Sequence, residues 1–194
     1  MRALKYKGTF NVGIDEVDSL HAVKSDDVVV KVKYCGICGT DVGIICGDYP
    51  VAVKGVTLGH EATGTVVDVG SSVRNVRPGD NVVINPTYYC GECRMCRTLR
   101  INHCERKAGT ESGVSYDGTF ADFYRTTSDY VLPIPEGVSM KAMALTEPLS
   151  CILAGIRKIP GTSLGPYTYV FGAGPMGILY SWALMLKGIT PVVI

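Results

Sequence analysis

The sequence lacks any strong excess of charge. Lysine and arginine number 19 against 18 aspartates and glutamates in 194 residues, so the formal net charge is +1. Proteins that bind nucleic acid or an anionic membrane by electrostatic attraction usually carry a clear positive excess. We therefore predict that neither nucleic acid nor a membrane surface is a partner.

The sequence also lacks segments that target or anchor a protein in a membrane. Residues 1–8 contain no apolar run and no small-residue cleavage site, so we expect no signal peptide. No charge lies between Lys158 and Lys187, but prolines and glycines divide that stretch, which argues against a membrane span. We expect a cytoplasmic protein, in which clustered cysteines more often bind metal than form disulfides.

Histidine is scarce, with three residues, whereas the chain has eight cysteines and 23 glycines. So many glycines favour a turn-rich β fold over a helical bundle. Alternating polar and apolar residues predict strands in residues 1–34, and further strands are predicted later in the chain at residues 62–69, 82–84, 120–125 and 130–133. A short helix is predicted at residues 42–46.

The periodicity becomes helical over residues 139–159. After a linker marked by Pro160-Gly161 and Gly165-Pro166, the pattern predicts a strand at 167–171, a helix at 175–186 and a buried parallel strand at 189–194. One β-α-β unit cannot cover both faces of such a sheet. We therefore expect this chain to be the front part of a longer protein.

Four cysteines lie within an irregular unit at residues 86–110. Cys90, Cys93, Cys96 and Cys104 have the spacing C-x2-C-x2-C-x7-C, which provides four tetrahedral thiolate ligands and leaves no position open for substrate. We predict a structural zinc site. An iron–sulfur cluster is the nearest alternative, but the bacterial ferredoxin pattern continues x3-C-P. Disulfides would need an oxidising compartment, and His103 could replace Cys104 as a ligand.

A second metal site is suggested by Gly59-His60-Glu61. A histidine beside a glutamate is more often a core residue next to a surface charge, and Cys35 or Cys38 could each be a small core residue. A Cys, a His and a carboxylate would instead hold a catalytic zinc and leave one position for water or substrate. Such a zinc lowers the pKa of a bound alcohol and polarises a carbonyl.

The segment Gly59-His60-Glu61-x2-Gly64-x5-Gly70-x2-Val73 matches, at every specified position, the zinc signature of the zinc-dependent medium-chain alcohol/polyol dehydrogenase family. Residues 35–41 resemble its first zinc-ligand loop, residues 90–104 its structural zinc lobe, and residues 146–149 a segment with a further zinc-site residue. The resemblance implies a β-rich, GroES-like catalytic domain at 1–158, with the zinc lobe at 86–110. The start of a Rossmann domain would follow at 159–194.

This resemblance also implies roles for single residues. Cys38 and His60 would bind the catalytic zinc, and Glu61 would be a ligand or a nearby carboxylate that exchanges with water. Glu147 would be a further residue of the catalytic zinc site. It stands where polyol and threonine dehydrogenases have a glutamate, which implies a polyol or amino alcohol as substrate. Thr40 would pass the substrate's proton onward.

Two further details follow from the resemblance. Asp41 would support the zinc-binding histidine. Many family members have a histidine three residues after the Thr40 position that completes a proton relay, but here that residue is Gly43. His21 and His103 do not lie in matching segments, so we assign no relay base.

A nucleotide-binding turn is predicted at residues 169–177. The pattern G-x-G-x-x-G lies between a predicted strand and helix, where glycines let a dinucleotide pyrophosphate approach the helix N-terminus. The predicted contacts are Gly172, Gly174, Pro175, Met176 and Gly177. The acidic residue that selects NAD over NADP is expected about twenty residues further on, beyond Ile194.

The predicted function is oxidation of a secondary alcohol, polyol or amino alcohol by hydride transfer to NAD or NADP. Two zinc ions per chain are expected, one catalytic and one structural, and the family implies a homo-oligomer at full length. A non-catalytic zinc-binding fragment is the second hypothesis, and an iron–sulfur electron carrier is a third. We expect little turnover from these 194 residues alone.

Overall fold

The computed structural model describes residues 1–160 and 167–194, and the chain forms two compact units, Met1–Ala144 and Leu145–Ile194. Most of the predicted linker therefore lies outside the described residues. The division between the units precedes the domain boundary predicted after residue 158. It does so because the long helix that ends at Lys158 packs within the second unit.

The first unit is rich in β structure, as predicted. Its strands are β1 (Arg2–Gly8), β2 (Asn11–Glu16), β3 (Asp27–Gly36), β4 (Glu61–Val69), β5 (Asn81–Ile84), β6 (Phe123–Thr127) and β7 (Val131–Pro133). Its α-helices are α1 (Gly39–Cys46), α2 (Arg94–Arg97) and α3 (Met140–Met143), with 3-10 turns at Ile101–His103 and Ser128–Tyr130. Strands β1 and β2 form an antiparallel hairpin, and the other five form an antiparallel sheet in the order β6-β3-β4-β5-β7.

The core of this unit lies on the five-stranded sheet. Val28 and Val30 of β3 and Val82 of β5 are fully buried, and they pack with residues of β4, β6 and β7. Such β-branched side chains suit the pleated surface of a sheet. Two glycines adopt the left-handed backbone conformation at the ends of elements of this unit. Gly79 has φ 98° in the predicted turn before β5, and Gly47 ends α1 with φ 86°.

The second unit contains the predicted β-α-β arrangement. Its elements are α4 (Thr146–Lys158), β8 (Tyr167–Val170), α5 (Pro175–Met185) and β9 (Thr190–Val193). Strands β8 and β9 pair in parallel, which confirms the sequence prediction. Helix α4 packs on α5 through Ile152, which is fully buried, and Leu184.

Two secondary-structure predictions need correction. The helical region predicted at 139–159 is divided into α3 and α4. Pro148 has no N–H to donate to the Ala144 carbonyl, so it is tolerated only in the first turn of a new helix. The last strand is parallel but not buried, since Val193 is 45% exposed and Ile194 63%. One helix and one neighbouring strand are too little to cover it.

None of the helices in residues 1–160 and 167–194 is both long enough and apolar enough to cross a membrane.

Candidate zinc centres

The structure brings three of the predicted catalytic ligands together. Ligand atoms of Cys38, His60 and Glu61 all lie within 4.8 Å of one another. Cys38 is the residue that caps the N-terminus of α1, while His60 directly precedes β4 and Glu61 begins it. The cluster therefore forms where a helix start meets a strand start.

Asp41 joins these two segments. It lies in the first turn of α1, is 1% exposed, and accepts a hydrogen bond from the backbone N–H of Cys38 at 2.9 Å. Its other carboxylate oxygen accepts one from the backbone N–H of Gly59 at 3.2 Å. A single buried carboxylate thus holds the thiol segment against the histidine segment, which lie 18 residues apart.

The imidazole of His60 is oriented towards the same carboxylate. Its Nδ1 lies 3.7 Å from Asp41 Oδ1, beyond hydrogen-bond distance, and is buried with no hydrogen-bond partner among the described residues. A buried polar nitrogen without a partner is uncommon in a native structure. A thiol, an imidazole and a carboxylate together are a typical zinc ligand set, so the residues present fit this metal.

The two cysteines of the first loop differ in position. Cys35 is not part of the three-residue cluster; its Sγ lies 3.1 Å from Thr119 Oγ1, and burial raises the pKa of its thiol to about 11. Burial also raises the pKa of Cys38, while backbone and side-chain hydrogen bonds from Thr40 favour its thiolate. The structure thus places Cys38, and not Cys35, in the cluster, and its role as a zinc ligand stays a prediction.

Thr40 therefore lies beside the cluster, whereas Glu147 belongs to the other compact unit. Glu147 is in the first turn of α4, where its Oε1 accepts a hydrogen bond from Cys151 Sγ at 3.5 Å. Its part in the zinc site stays a prediction. At the position without a relay histidine, the Gly43 carbonyl accepts a hydrogen bond from the backbone N–H of Tyr49 at 3.0 Å.

The four lobe cysteines also converge. The sulfur atoms of Cys90, Cys93, Cys96 and Cys104 all lie within 4.8 Å of one another. The Cys93 N–H donates to Cys90 Sγ at 3.3 Å, and the Cys90 N–H donates to Cys104 Sγ at 3.4 Å. The backbone hydrogen bond from Cys90 lowers the pKa of the Cys104 thiol, and backbone hydrogen bonds from Cys96 and Glu105 lower that of Cys93, whereas burial raises the pKa of Cys96.

The predicted nucleotide-binding residues form the turn between β8 and α5. Gly172 adopts φ 103°, Gly174 is the N-cap residue of α5, and Pro175 is the first residue of that helix. A Cβ atom on Gly177 would overlap the Gly172 carbonyl oxygen, so only glycine lets the helix start so close to the turn. Met176 follows Pro175 in the same first turn.

Comparison with known proteins supports the family that the sequence motifs resemble. Residues 24–136 match the alcohol dehydrogenase GroES-like domain. The chain belongs to the zinc-dependent medium-chain alcohol and polyol dehydrogenase family. It is 39% identical over 158 residues to the protein named "Probable D-xylulose reductase A" of Emericella nidulans, covering 79% of this chain and 43% of that protein.

The chain is also similar to two further proteins that are named as dehydrogenases. Sorbitol dehydrogenase of Halalkalibacterium halodurans is 36% identical over 167 residues, which cover 86% of this chain and 48% of the relative. A protein described as a zinc-binding dehydrogenase from Sinorhizobium meliloti 1021, solved bound to NADP, has a TM-score of 0.88 at 32% identity, covering 99% of this chain and 55% of the other. The chain thus spans less than half the length of the two curated relatives.

Sequence reasoning missed two contacts of this site. Thr119 was not considered, although its hydroxyl contacts the Cys35 thiol from 84 residues away. Gly36 lies in the segment 35–41 that resembles a zinc-ligand loop, and the structure shows that it ends β3 opposite Glu61. The pattern C-G-I-C already contains this glycine, but only strand pairing shows which residue lies across from it.

Proposed function

We propose that this chain is the zinc-binding catalytic part of an NAD- or NADP-dependent dehydrogenase that oxidises a secondary alcohol or polyol. The observation that carries the proposal is the convergence of Cys38, His60 and Glu61 beside Thr40. Three protein ligands of this kind leave a fourth position on a zinc ion, which distinguishes a catalytic from a structural site.

The protein's own residues have separable roles. Bound zinc would act as a Lewis acid that stabilises negative charge on the substrate oxygen. Asp41 holds the Cys38 and Gly59 segments together through its two backbone hydrogen bonds, and this places His60, the residue after Gly59, beside Cys38. Thr40 supplies a hydroxyl that can accept the alcohol proton and donate its own.

Beyond Thr40 the proton has no histidine to reach at position 43, since this residue is Gly43. We infer that the proton leaves the Thr40 hydroxyl through water; a ribose hydroxyl of a bound cofactor would be an alternative acceptor. A hydroxyl can pass a proton to water directly, but the transfer lacks the rate acceleration that a base with a pKa near neutrality would provide.

The substrate class and cofactor extend this proposal. Glu147 and the similarity to proteins named xylulose reductase and sorbitol dehydrogenase support a polyol substrate. The glycine turn between β8 and α5 supports a dinucleotide, and one similar structure contains NADP. We further propose two zinc ions per chain, a cytoplasmic location and a homo-oligomeric full-length enzyme.

Metal analysis of the purified chain tests the proposal. We expect about two zinc ions per chain, and about one in Cys38→Ser or His60→Ala, whereas Cys46→Ser, outside both clusters, keeps about two. A single zinc ion in the wild-type chain would overturn the catalytic proposal and favour a zinc-binding fragment with only the lobe site. Visible iron–sulfur absorbance would overturn the zinc assignment of the lobe.

A further inference from the structure

Gly36 lies directly against the carboxylate of Glu61. It is the last residue of β3 and pairs with Glu61, the first residue of β4, in the antiparallel register. A Cβ atom on Gly36 would overlap Glu61 Oε2 and would lie 3.2 Å from Glu61 Cβ and 3.3 Å from Glu61 Cδ. The carboxylate therefore occupies the space in which any other residue at position 36 would have its side chain.

The backbone does not explain why position 36 is glycine. Gly36 is not among the residues with positive φ, so an L-residue could adopt its conformation. The neighbouring Gly39 also lacks a positive φ, but a Cβ atom there would meet nothing within 4 Å. Of these two glycines, which end β3 and begin α1, only Gly36 is constrained by a side chain of the cluster.

The Glu61 residue is buried and its backbone is held in place on both sides of the contact with Gly36. Glu61 is 7% exposed, and its backbone N–H hydrogen-bonds the Cys35 thiol, which in turn contacts the Thr119 hydroxyl at 3.1 Å. The backbone of Glu61 is therefore held by strand pairing and by Cys35. A carboxylate displaced from above Gly36 would have to rotate relative to Cys38 and His60.

We propose that Gly36 is a positioning residue for the zinc ligand Glu61. By lacking a side chain it leaves the space in which the carboxylate lies with an oxygen within 4.8 Å of ligand atoms of Cys38 and His60. This inference rests on the proposed catalytic zinc site. It means that the site also requires glycine at position 36, although Gly36 has no side chain that could bind zinc.

Two alanine variants of the full chain test the proposal through zinc affinity, measured by competition with a chelator. Gly36→Ala is expected to weaken the non-lobe zinc about tenfold, a size typical of residues that orient metal ligands. Gly39→Ala, the matched control, should stay within about twofold. The lobe zinc serves as an internal reference and should be unchanged in both.

A variant that lacks the Glu61 carboxylate shows whether Gly36→Ala acts by displacing that carboxylate or by disturbing the surrounding backbone. In Glu61→Ala, adding Gly36→Ala should change zinc affinity no further, because the overlapping group is gone. If Gly36→Ala does not fold, the double variant should recover folding, as judged by thermal unfolding. The proposal is overturned if Gly36→Ala matches Gly39→Ala, or if its effect persists without Glu61. A wild-type chain that binds only the lobe zinc would overturn the proposed function itself.

Discussion

At the scale of single residues, the candidate catalytic centre depends on one buried carboxylate that is not itself in the ligand cluster. Asp41 accepts hydrogen bonds from two backbone N–H groups, one in each ligand segment, and faces His60 Nδ1. Charge-assisted hydrogen bonds of this kind are stronger than neutral ones, and their loss leaves the donors without partners. Asp41 thus caps the N-terminus of α1 and also holds the Gly59 segment close to Cys38.

Replacing Asp41 by alanine should therefore affect both stability and metal binding. We expect Asp41→Ala to lower the free energy of unfolding by about 1–3 kcal/mol, because one buried and one partly buried N–H group lose their acceptor. The non-lobe zinc should also bind more weakly, since His60 loses the group that faces it. Urea unfolding and chelator competition measure the two effects. Asp48→Ala, at an exposed aspartate just past α1, is the control, and equal unfolding of the two variants would contradict the role of Asp41.

At the scale of elements, ion pairs join strands that are distant in sequence. The Arg2 guanidinium of β1 donates to both carboxylate oxygens of Asp122, just before β6, at 2.9 and 3.2 Å. The Arg2 backbone N–H also donates to this carboxylate, at 2.8 Å. The Arg2 side-chain hydrogen bond, followed by the backbone one, lowers the pKa of Asp122 to about 2.

This lowered pKa gives the stability contribution of Asp122 a defined pH dependence. An aspartate in the unfolded chain titrates near pH 3.9, so the contribution is complete above about pH 5 and is lost as the pH falls towards about 2. The difference in unfolding free energy between wild type and Asp122→Asn should therefore shrink over that window. Denaturant unfolding at a series of pH values measures it. A difference that is constant between pH 6 and pH 3 would contradict the assignment.

Helix α4 packs on α5 through apolar side chains. Ile152 is fully buried between the two helices. Ile152→Ala should lower the free energy of unfolding of the second unit by about 2–5 kcal/mol through lost burial and the cavity left behind. Ile178→Ala, at a site on α5 that is 45% exposed, is the matched control and should cost much less. Hydrogen exchange of α4 and α5 amides would measure this unit separately from the first.

At the scale of the whole molecule, the two predicted zinc sites should contribute unequally to stability. The lobe cysteines lie in a region with little regular structure, where a short helix and a 3-10 turn are the assigned elements. Such regions depend on their metal for folding. The Cys38 cluster instead lies beside the five-stranded sheet, whose hydrogen bonds and apolar core exist without metal.

We therefore expect removal of the lobe zinc to have the larger effect on the thermal unfolding midpoint. Cys93→Ser should lose about one zinc ion and lower the midpoint markedly, whereas Cys38→Ser should lose one zinc ion with a smaller shift. Calorimetry of both variants, with zinc content determined in parallel, checks this order. A larger shift for Cys38→Ser would show that the cluster beside the sheet is the structural one.

The sequence predicted those features that depend on neighbours close along the chain. The lobe cysteines and the glycine turn of residues 172–177 were found because short loops bring their groups together. The predicted strands were located to within a few residues, since alternation is a local property. The division of the helix at 139–159 was missed because the effect of Pro148 on the preceding turn was not weighed.

The sequence by itself determined the ligand types, their spacing and the family, because zinc chemistry restricts which residues can appear at those positions. Only the tertiary structure decided which backbone groups Asp41 holds, which thiol Thr119 contacts and which carboxylate lies over Gly36. These contacts join segments 18 to 84 residues apart in sequence. They depend on the order and register of strands in the sheet, which alternating hydrophobicity does not encode.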